Sequence, residues 1–286
     1  MNYMSNSILA YIPHNMKNKA VLKQILRFQK LLKMRIFILN ILEKSTFMSL
    51  NSRSKKLETV KTNAKQKLIG LIEKTTKKEL PDEYIPRIQV GETLTALIKE
   101  SKNGGYDFLA LDKNGSGLKK TVVNKLISRS HCPVLLTNKD YALKKIKHIL
   151  IPIDISQSTQ KRLFWGTFFA KKFKAKIKIV SALNIDIDEA KSLARKNADK
   201  IKQMLLDRGI DCEVKILKVH NQPRHKAVLD YIEEENPEMI IIRTHQESIF
   251  SNRRIGQFVS EIVHSCKMPV FTVGNSTQST PLDDIN

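Results

Sequence analysis

The residues best placed to do chemistry lie in one polar loop, RTHQESIFSNRRIGQ, which carries Arg243, His245, Gln246, Arg253, Arg254, Gly256 and Gln257. The loop follows an unbroken apolar run, Met239 to Ile242, that reads as a strand buried on both faces. It precedes an amphipathic segment with Phe258, Ile262 and Val263 on one face, which suits a helix. A long loop at the carboxyl end of a strand is where open α/β sheets take their ligands, and it puts His245 within reach of one. Elsewhere the chemistry thins out. The seven histidines are dispersed, and His220 and His225 lie five apart across a proline-containing turn, which does not give one helix face for a metal. NGSGLKKT at Asn114 lacks the glycine and lysine placement of a phosphate-binding Walker loop, and no G-x-G-x-x-G follows a strand. Cys132, Cys212 and Cys266 show neither pairing nor metal-ligand spacing and read as reduced thiols, the two beside prolines as packing residues. No local context suggests a Ser/His/Asp or Cys/His arrangement. These observations predict a binding protein with no catalytic residues and no metal.

The elements that would position the loop occur twice. Strand, polar loop, helix, proline and strand run from Met239 to Val273, and again from Phe108 to Leu136 in FLALDKNGSGLKKTVVNKLISRSHCPVLL. Between the strand start and the proline the first copy is five residues shorter. ILAYIP at Ile8 echoes ILIPID at Ile149, and ALIKESKNGGYDFLAL echoes VLDYIEEENPEMIII. The repeat is about 140 residues long, too long for a solenoid, so two domains are expected, 1–140 and 141–275, with a polar tail at 276–286.

Composition bounds the partners. The chain has 286 residues, 41% of them hydrophobic, enough for two ordinary cores. The formal charge is +22, and residues 1–140 hold 26 basic against 11 acidic side chains. Such a balance favours anionic partners, but scattered lysines without interleaved aromatics read first as a solvated surface and disfavour nucleic acid. The apolar window LLKMRIFILNIL is broken by Lys33 and Arg35 and is too short to cross a bilayer. A cytoplasmic protein without a membrane segment is the expectation.

In chain order the first copy predicts strands at Ile8–Pro13, Met34–Ile41 and Arg87–Val90, the last starting after Pro86 because proline cannot donate to a ladder. Helices are expected at Lys17–Lys33, with Val21, Ile25, Phe28 and Leu32 on its buried face, at Lys56–Lys74 and at Leu94–Lys102. The second copy predicts strands at His148–Ile153, Lys176–Ala182 and Cys212–Lys218. Its helices are expected at Gln160–Phe173, Ile187–Arg208 with Gly209 just past its end, and His225–Glu235. Trp165, Phe164, Phe168 and Phe169 form a core stripe. Each copy alternates strand and helix, a doubly wound sheet of five mainly parallel strands.

The duplicated order of these parts, with ILIPID ending at Asp154, a buried fourth strand and a proline before the fifth, resembles the universal stress protein family in its tandem form. The resemblance implies two Rossmann-like domains of the adenine nucleotide alpha hydrolase-like type, with strand order 3-2-1-4-5. It also implies that nucleotide-binding members hold ligand over the carboxyl strand ends, with the first-strand aspartate near adenine and ribose. Their motif G-x2-G-x9-G-[ST] cradles the phosphates. Such glycines let backbone amides approach phosphate, and a helix N-terminus adds a favourable dipole.

By that resemblance the cofactor-binding candidates of the second copy are Asp154, Arg243, His245, Gln246, Gly256 and Gln257. Only Gly256 keeps its glycine, Arg243 and Gln246 replacing the others and Gln257 the hydroxyl. Arg243, Arg253 and Arg254 then either hold an anion in place of the lost amides or are ordinary loop residues. In the first copy Asp112 and Gly115 take the first two motif places, Lys120-Thr121 the last two, and Pro13-His14 the aspartate position, so no ATP is expected there. The leading expectation is a non-enzymatic stress-response or regulatory binding protein without a resident cofactor, its partner an unidentified protein or an anionic ligand. ATP held by the second domain as a switch, and a basic nucleic-acid-binding protein, are the alternatives. The family's pairing through fifth strands implies an intramolecular pseudo-dimer through Val134–Thr137 and Val270–Val273, or a homodimer.

Overall fold

The computed structural model describes residues 6–14, 19–43, 54–142, 145–153, 160–184, 193–220, 222–244 and 255–274. The chain divides into two compact units, 1–140 and 141–275. The polar tail expected at 276–286 lies outside the described residues.

In the first unit β1 (Ser7–Tyr11), α1 (Lys19–Leu32), β2 (Arg35–Leu42), α2 (Ser54–Thr76) and β3 (Tyr84–Val90) come first. They are followed by α3 (Thr93–Asn103), β4 (Phe108–Asp112), α4 (Lys120–Arg129) and β5 (Val134–Thr137). All pairings are parallel, in the order β3-β2-β1-β4-β5. The burial explains the order: every residue of β1 and β4 is buried, as central strands covered on both faces must be. Helix α1 buries Val21, Leu22, Ile25, Leu26, Phe28 and Leu32, the expected 3.6-residue stripe, and leaves Lys23, Arg27 and Lys30 in water.

The third strand differs from expectation. It begins at Tyr84 and runs through Pro86, which pairs in register with Ile38. Strand β3 lies at the edge of this sheet and pairs only with β2, so the amide that proline lacks is not required by a second neighbour.

The second unit repeats the plan with β6 (His148–Pro152), α5 (Gln160–Phe173), β7 (Lys176–Asn184), α6 (Leu193–Leu206) and β8 (Cys212–Val219). Then come α7 (Arg224–Glu235), β9 (Met239–Arg243), α8 (Gln257–Ser265) and β10 (Val270–Val273). Again every pairing is parallel, in the order β8-β7-β6-β9-β10. The helix expected from Ile187 is described from Leu193, since 185–192 lie outside the described residues. Gly209 takes φ 71°, the left-handed conformation that suits a residue just past a helix end. Trp165 and Phe169 are buried, each with its ring centroid 4.9 Å from that of Phe271. Phe164 and Phe168 are half-buried and set edge-on to the indole at 5.5 Å. Offset and edge-on geometries are those that the ring quadrupoles favour.

Candidate functional site

In each unit the candidate site lies at the carboxyl ends of the strands, where β1 and β4, or β6 and β9, release their loops. The first unit is described almost completely there. Strand β4 ends at Asp112, in register with Thr137 at the end of β5. The Asp112 side chain is fully buried. Its Oδ1 accepts hydrogen bonds from the backbone amides of Asn114 at 3.0 Å and Gly115 at 2.5 Å. Its Oδ2 accepts from the Thr137 hydroxyl at 3.0 Å. The next amide, that of Ser116, donates to the Asp112 carbonyl at 3.0 Å. Three successive amides of the loop therefore close on one residue, an Asx turn of the kind aspartate favours after a strand.

This closure changes what Gly115 is for. A Cβ at that position would sit 2.4 Å from Val21 Cγ2 and 3.0 Å from Asp112 Oδ1. Glycine is thus demanded by internal packing, the same reason that a close backbone approach to a ligand would give. Asn114 Nδ2 donates to Asn138 Oδ1 at 3.1 Å, and Gln24 Nε2 donates to the Asn138 carbonyl at 2.6 Å, which ties the loop to α1 and to the end of β5. Burial raises the Asp112 pKa above the ordinary carboxylate value, and the Asp140 charge adds to the rise. The bonds from Gly115, Thr137 and Asn114 act in the opposite sense.

Of the remaining first-unit positions, His14 is tied back to the sheet, whereas Lys120 and Thr121 are not. His14 Nδ1 lies 3.1 Å from Asn40 Oδ1, and Asn40 Nδ2 donates to the Ile12 carbonyl at 3.0 Å. These bonds fasten the end of β1 to β2. Lys120 and Thr121 are exposed in the first turn of α4, whose N-cap Lys119 makes no side-chain cap bond. Sequence reasoning noted Asp112 only as a residue in a glycine's place and did not find Thr137. The signal was available: aspartate, two residues, then glycine directly after a buried strand is the Asx-turn pattern.

In the second unit the description is partial. Arg243 ends β9 half-buried, in register with Val273 at the end of β10. Gly256 is the N-cap of α8, with extended backbone at φ −68° and ψ 164° and no side-chain cap bond. Gln257, the first residue of that helix, donates from Nε2 to Glu261 Oε1 at 2.7 Å and so turns its amide along its own helix. Glu261 also meets His225 Nε2 at 2.9 Å, which joins α8 to α7. Asp154, His245, Gln246, Arg253 and Arg254 lie outside the described residues. Of the six predicted site residues the structure therefore places Arg243, Gly256 and Gln257 at the same end of the sheet. Among the described residues no cluster of three or more metal-ligating side chains occurs, and no helix is long and apolar enough to cross a membrane.

Residues 145–274 match the model of the universal stress protein family. The fold is similar to that of a universal stress protein from Archaeoglobus fulgidus DSM 4304, with TM-score 0.66 and 20% identity over 95% of this chain and 99% of that one. A protein from Pseudomonas aeruginosa UCBPP-PA14, described as a universal stress protein, is similar at TM-score 0.61 and 14% identity, over 96% of each chain. None of the curated proteins matches this sequence. Residues 145–274 thus match the universal stress protein family, and the first unit repeats the same strand order without a match of its own to the family model.

Proposed function

We propose that the chain is a non-enzymatic stress-response or regulatory binding protein in which the first unit is a scaffold and the second the half able to take a ligand. The observation that carries this reading is the Asp112 carboxylate, buried and bonded to the amides of Asn114 and Gly115 and to the hydroxyl of Thr137. By the family resemblance those amides fall where the motif would cradle phosphate. A carboxylate fixed in the chain is an anion at very high effective concentration, and a diffusing phosphate would have to displace it and bury its own charge beside it. The partner is an unidentified protein or an anionic ligand, and no cofactor is resident. The second unit supports the other half of the reading. Helix α8 starts at the carboxyl end of the sheet with Gly256 as N-cap, a residue that brings no side chain of its own, and a helix start carries a dipole end that favours an anion.

The second reading, an ATP-held switch in the second unit, rests on that same helix start and on the motif spacing around Gly256. The test is mass spectrometry of small molecules carried through native purification of the full chain. An empty protein is the expected result. Nucleotide recovered at one equivalent per chain overturns the scaffold reading in favour of the switch.

A further inference from the structure

Away from the family site, at the amino ends of the strands, the first unit has a groove of about 900 Å3. Its walls come from α1, the end of α2, and the segments that lead into β2 and β3. Six cations line it (Lys23, Arg27, Lys30, Lys33, Arg35 and Lys78) against a single acidic side chain, Glu83.

Two structural demands account for part of this charge. Lys30 and Lys33 lie at the carboxyl end of α1, where cations answer the helix dipole. Lysine-rich surfaces also keep a protein soluble. Neither demand explains the stripe Lys23, Arg27 and Lys30 at helical spacing on α1, a helix without one acidic residue. Like charges three and four residues apart weaken a helix. Nor does either demand explain why Arg35 and Lys78, from other elements, face the same space. Among the described residues, Lys23, Lys30, Lys33, Arg35 and Lys78 form no ion pair.

The neutral polar groups of the groove are already used. Tyr84 donates its hydroxyl to Gln29 Oε1 at 3.1 Å, and Gln29 Nε2 donates to the Met34 carbonyl at 2.8 Å. The hydroxyls of Thr75 and Thr76 donate to the carbonyls of Leu71 and Ile72. Leu26 and Met34 are buried beneath them. What the groove offers a ligand is therefore positive charge around a satisfied floor, which selects for several negative charges close together.

We propose that this groove is a binding site for a small ligand carrying a chain of phosphates, recognised through its charge. A volume of about 900 Å3 lies within the ordinary range for small-molecule sites. The site is separate from the carboxyl-end site of either unit.

The experiment is calorimetric titration of the full chain with inorganic tripolyphosphate, with ATP as a second arm and a short single-stranded RNA as a third. The groove variant combines Lys30→Gln, Arg35→Gln and Lys78→Gln. The surface control combines Lys65→Gln, Lys67→Gln and Lys102→Gln, which removes equal charge from exposed positions off the groove. Circular dichroism checks that both remain folded. The proposal expects tripolyphosphate affinity to fall at least about tenfold in the groove variant and less than about twofold in the control, with binding weakened as salt shortens the screening length. Equal weakening of ATP in the groove variant identifies the phosphate chain as the part recognised. Weakening of ATP alone makes the groove a nucleoside site and overturns the proposal. So does equal loss in both variants, absence of tripolyphosphate binding, or RNA binding through the groove without tripolyphosphate binding.

Discussion

Replacing Asp112 by alanine removes the acceptor on which the first unit's loop closes. The Gly115 amide is buried and would lose its partner, at a cost of about 1–3 kcal/mol. The Asn114 amide is only partly buried, and water can take it over. Thr137 Oγ1 already lies 3.5 Å from the Leu111 carbonyl, a fallback for its proton. Release of a desolvated carboxylate offsets some of the loss, so Asp112→Ala should destabilise the first unit by about 2 kcal/mol. Asp112→Asn keeps an acceptor for both amides and should cost about 1 kcal/mol or less at neutral pH. The pH dependence separates the two terms. Because burial raises the Asp112 pKa, the folded chain keeps a proton that the unfolded chain releases between the ordinary value and the raised one. Stability from this group is full below the ordinary carboxylate range and is lost as pH rises through the raised value. Asp112→Asn should therefore gain on the parent protein as pH rises through that window. The sole tryptophan, Trp165, belongs to the second unit and cannot report the first. The assay is amide hydrogen exchange of peptides from β1 and β4 against urea. If Asp112→Ala stays within about 0.5 kcal/mol of Asp112→Asn, the carboxylate is not what closes the loop.

Further substitutions test other parts of the structure. A Cβ at Gly104 would meet Tyr106 Cε2 at 2.0 Å, and that ring is held by a 2.7 Å bond from Arg87 and by Phe37 edge-on at 5.2 Å, so Gly104→Ala should cost about 1–3 kcal/mol by the same exchange assay. Asn236 ends α7 in the left-handed conformation, φ 44° and ψ 55°, and Asn236→Gly should raise the urea midpoint read from Trp165 by the equivalent of about 0.5 kcal/mol. Phe271→Ala removes a fully buried ring that touches both Trp165 and Phe169, with an expected loss of about 3–5 kcal/mol and a red shift of Trp165 emission. Pro86→Val restores an amide to the edge strand β3 and should increase self-association, read by light scattering at constant folded fraction.

The fold was legible because its signals are periodic and local. Val21, Ile25, Phe28 and Leu32 mark α1 at helical spacing, and Met239 to Ile242 can satisfy an all-buried run only as a central strand. The duplicated order of such signals then implied two like sheets. What stayed hidden depended on neighbours distant in sequence. Pro86 looked like a barrier to a strand until β3 proved to lie at the sheet edge, a property of topology and not of the proline. Of the aromatic stripe Phe164, Trp165, Phe168 and Phe169 on α5, only Trp165 and Phe169 are buried, and these are the two that meet Phe271 from β10.

The site shows the limit more sharply, because one letter can be kept by two different pressures. By the family resemblance Gly115 falls at the second glycine of the phosphate motif, which sequence alone gives no other reason to keep. Its surroundings show a present need: Val21 Cγ2 and Asp112 Oδ1 leave no room for a Cβ. The adjacent departure, Asp112, was legible as a misfit, yet its consequence needed the register that sets Thr137 beside it. A loop five residues shorter than its counterpart folds back on its own strand end, and a carboxylate there captures the amides that a longer, glycine-rich loop would present outward. Restoring glycine at 112 without lengthening the loop would unsatisfy the amides without re-aiming them, so Asp112→Gly should lose stability much as Asp112→Ala does and gain no affinity for tripolyphosphate at this end of the sheet.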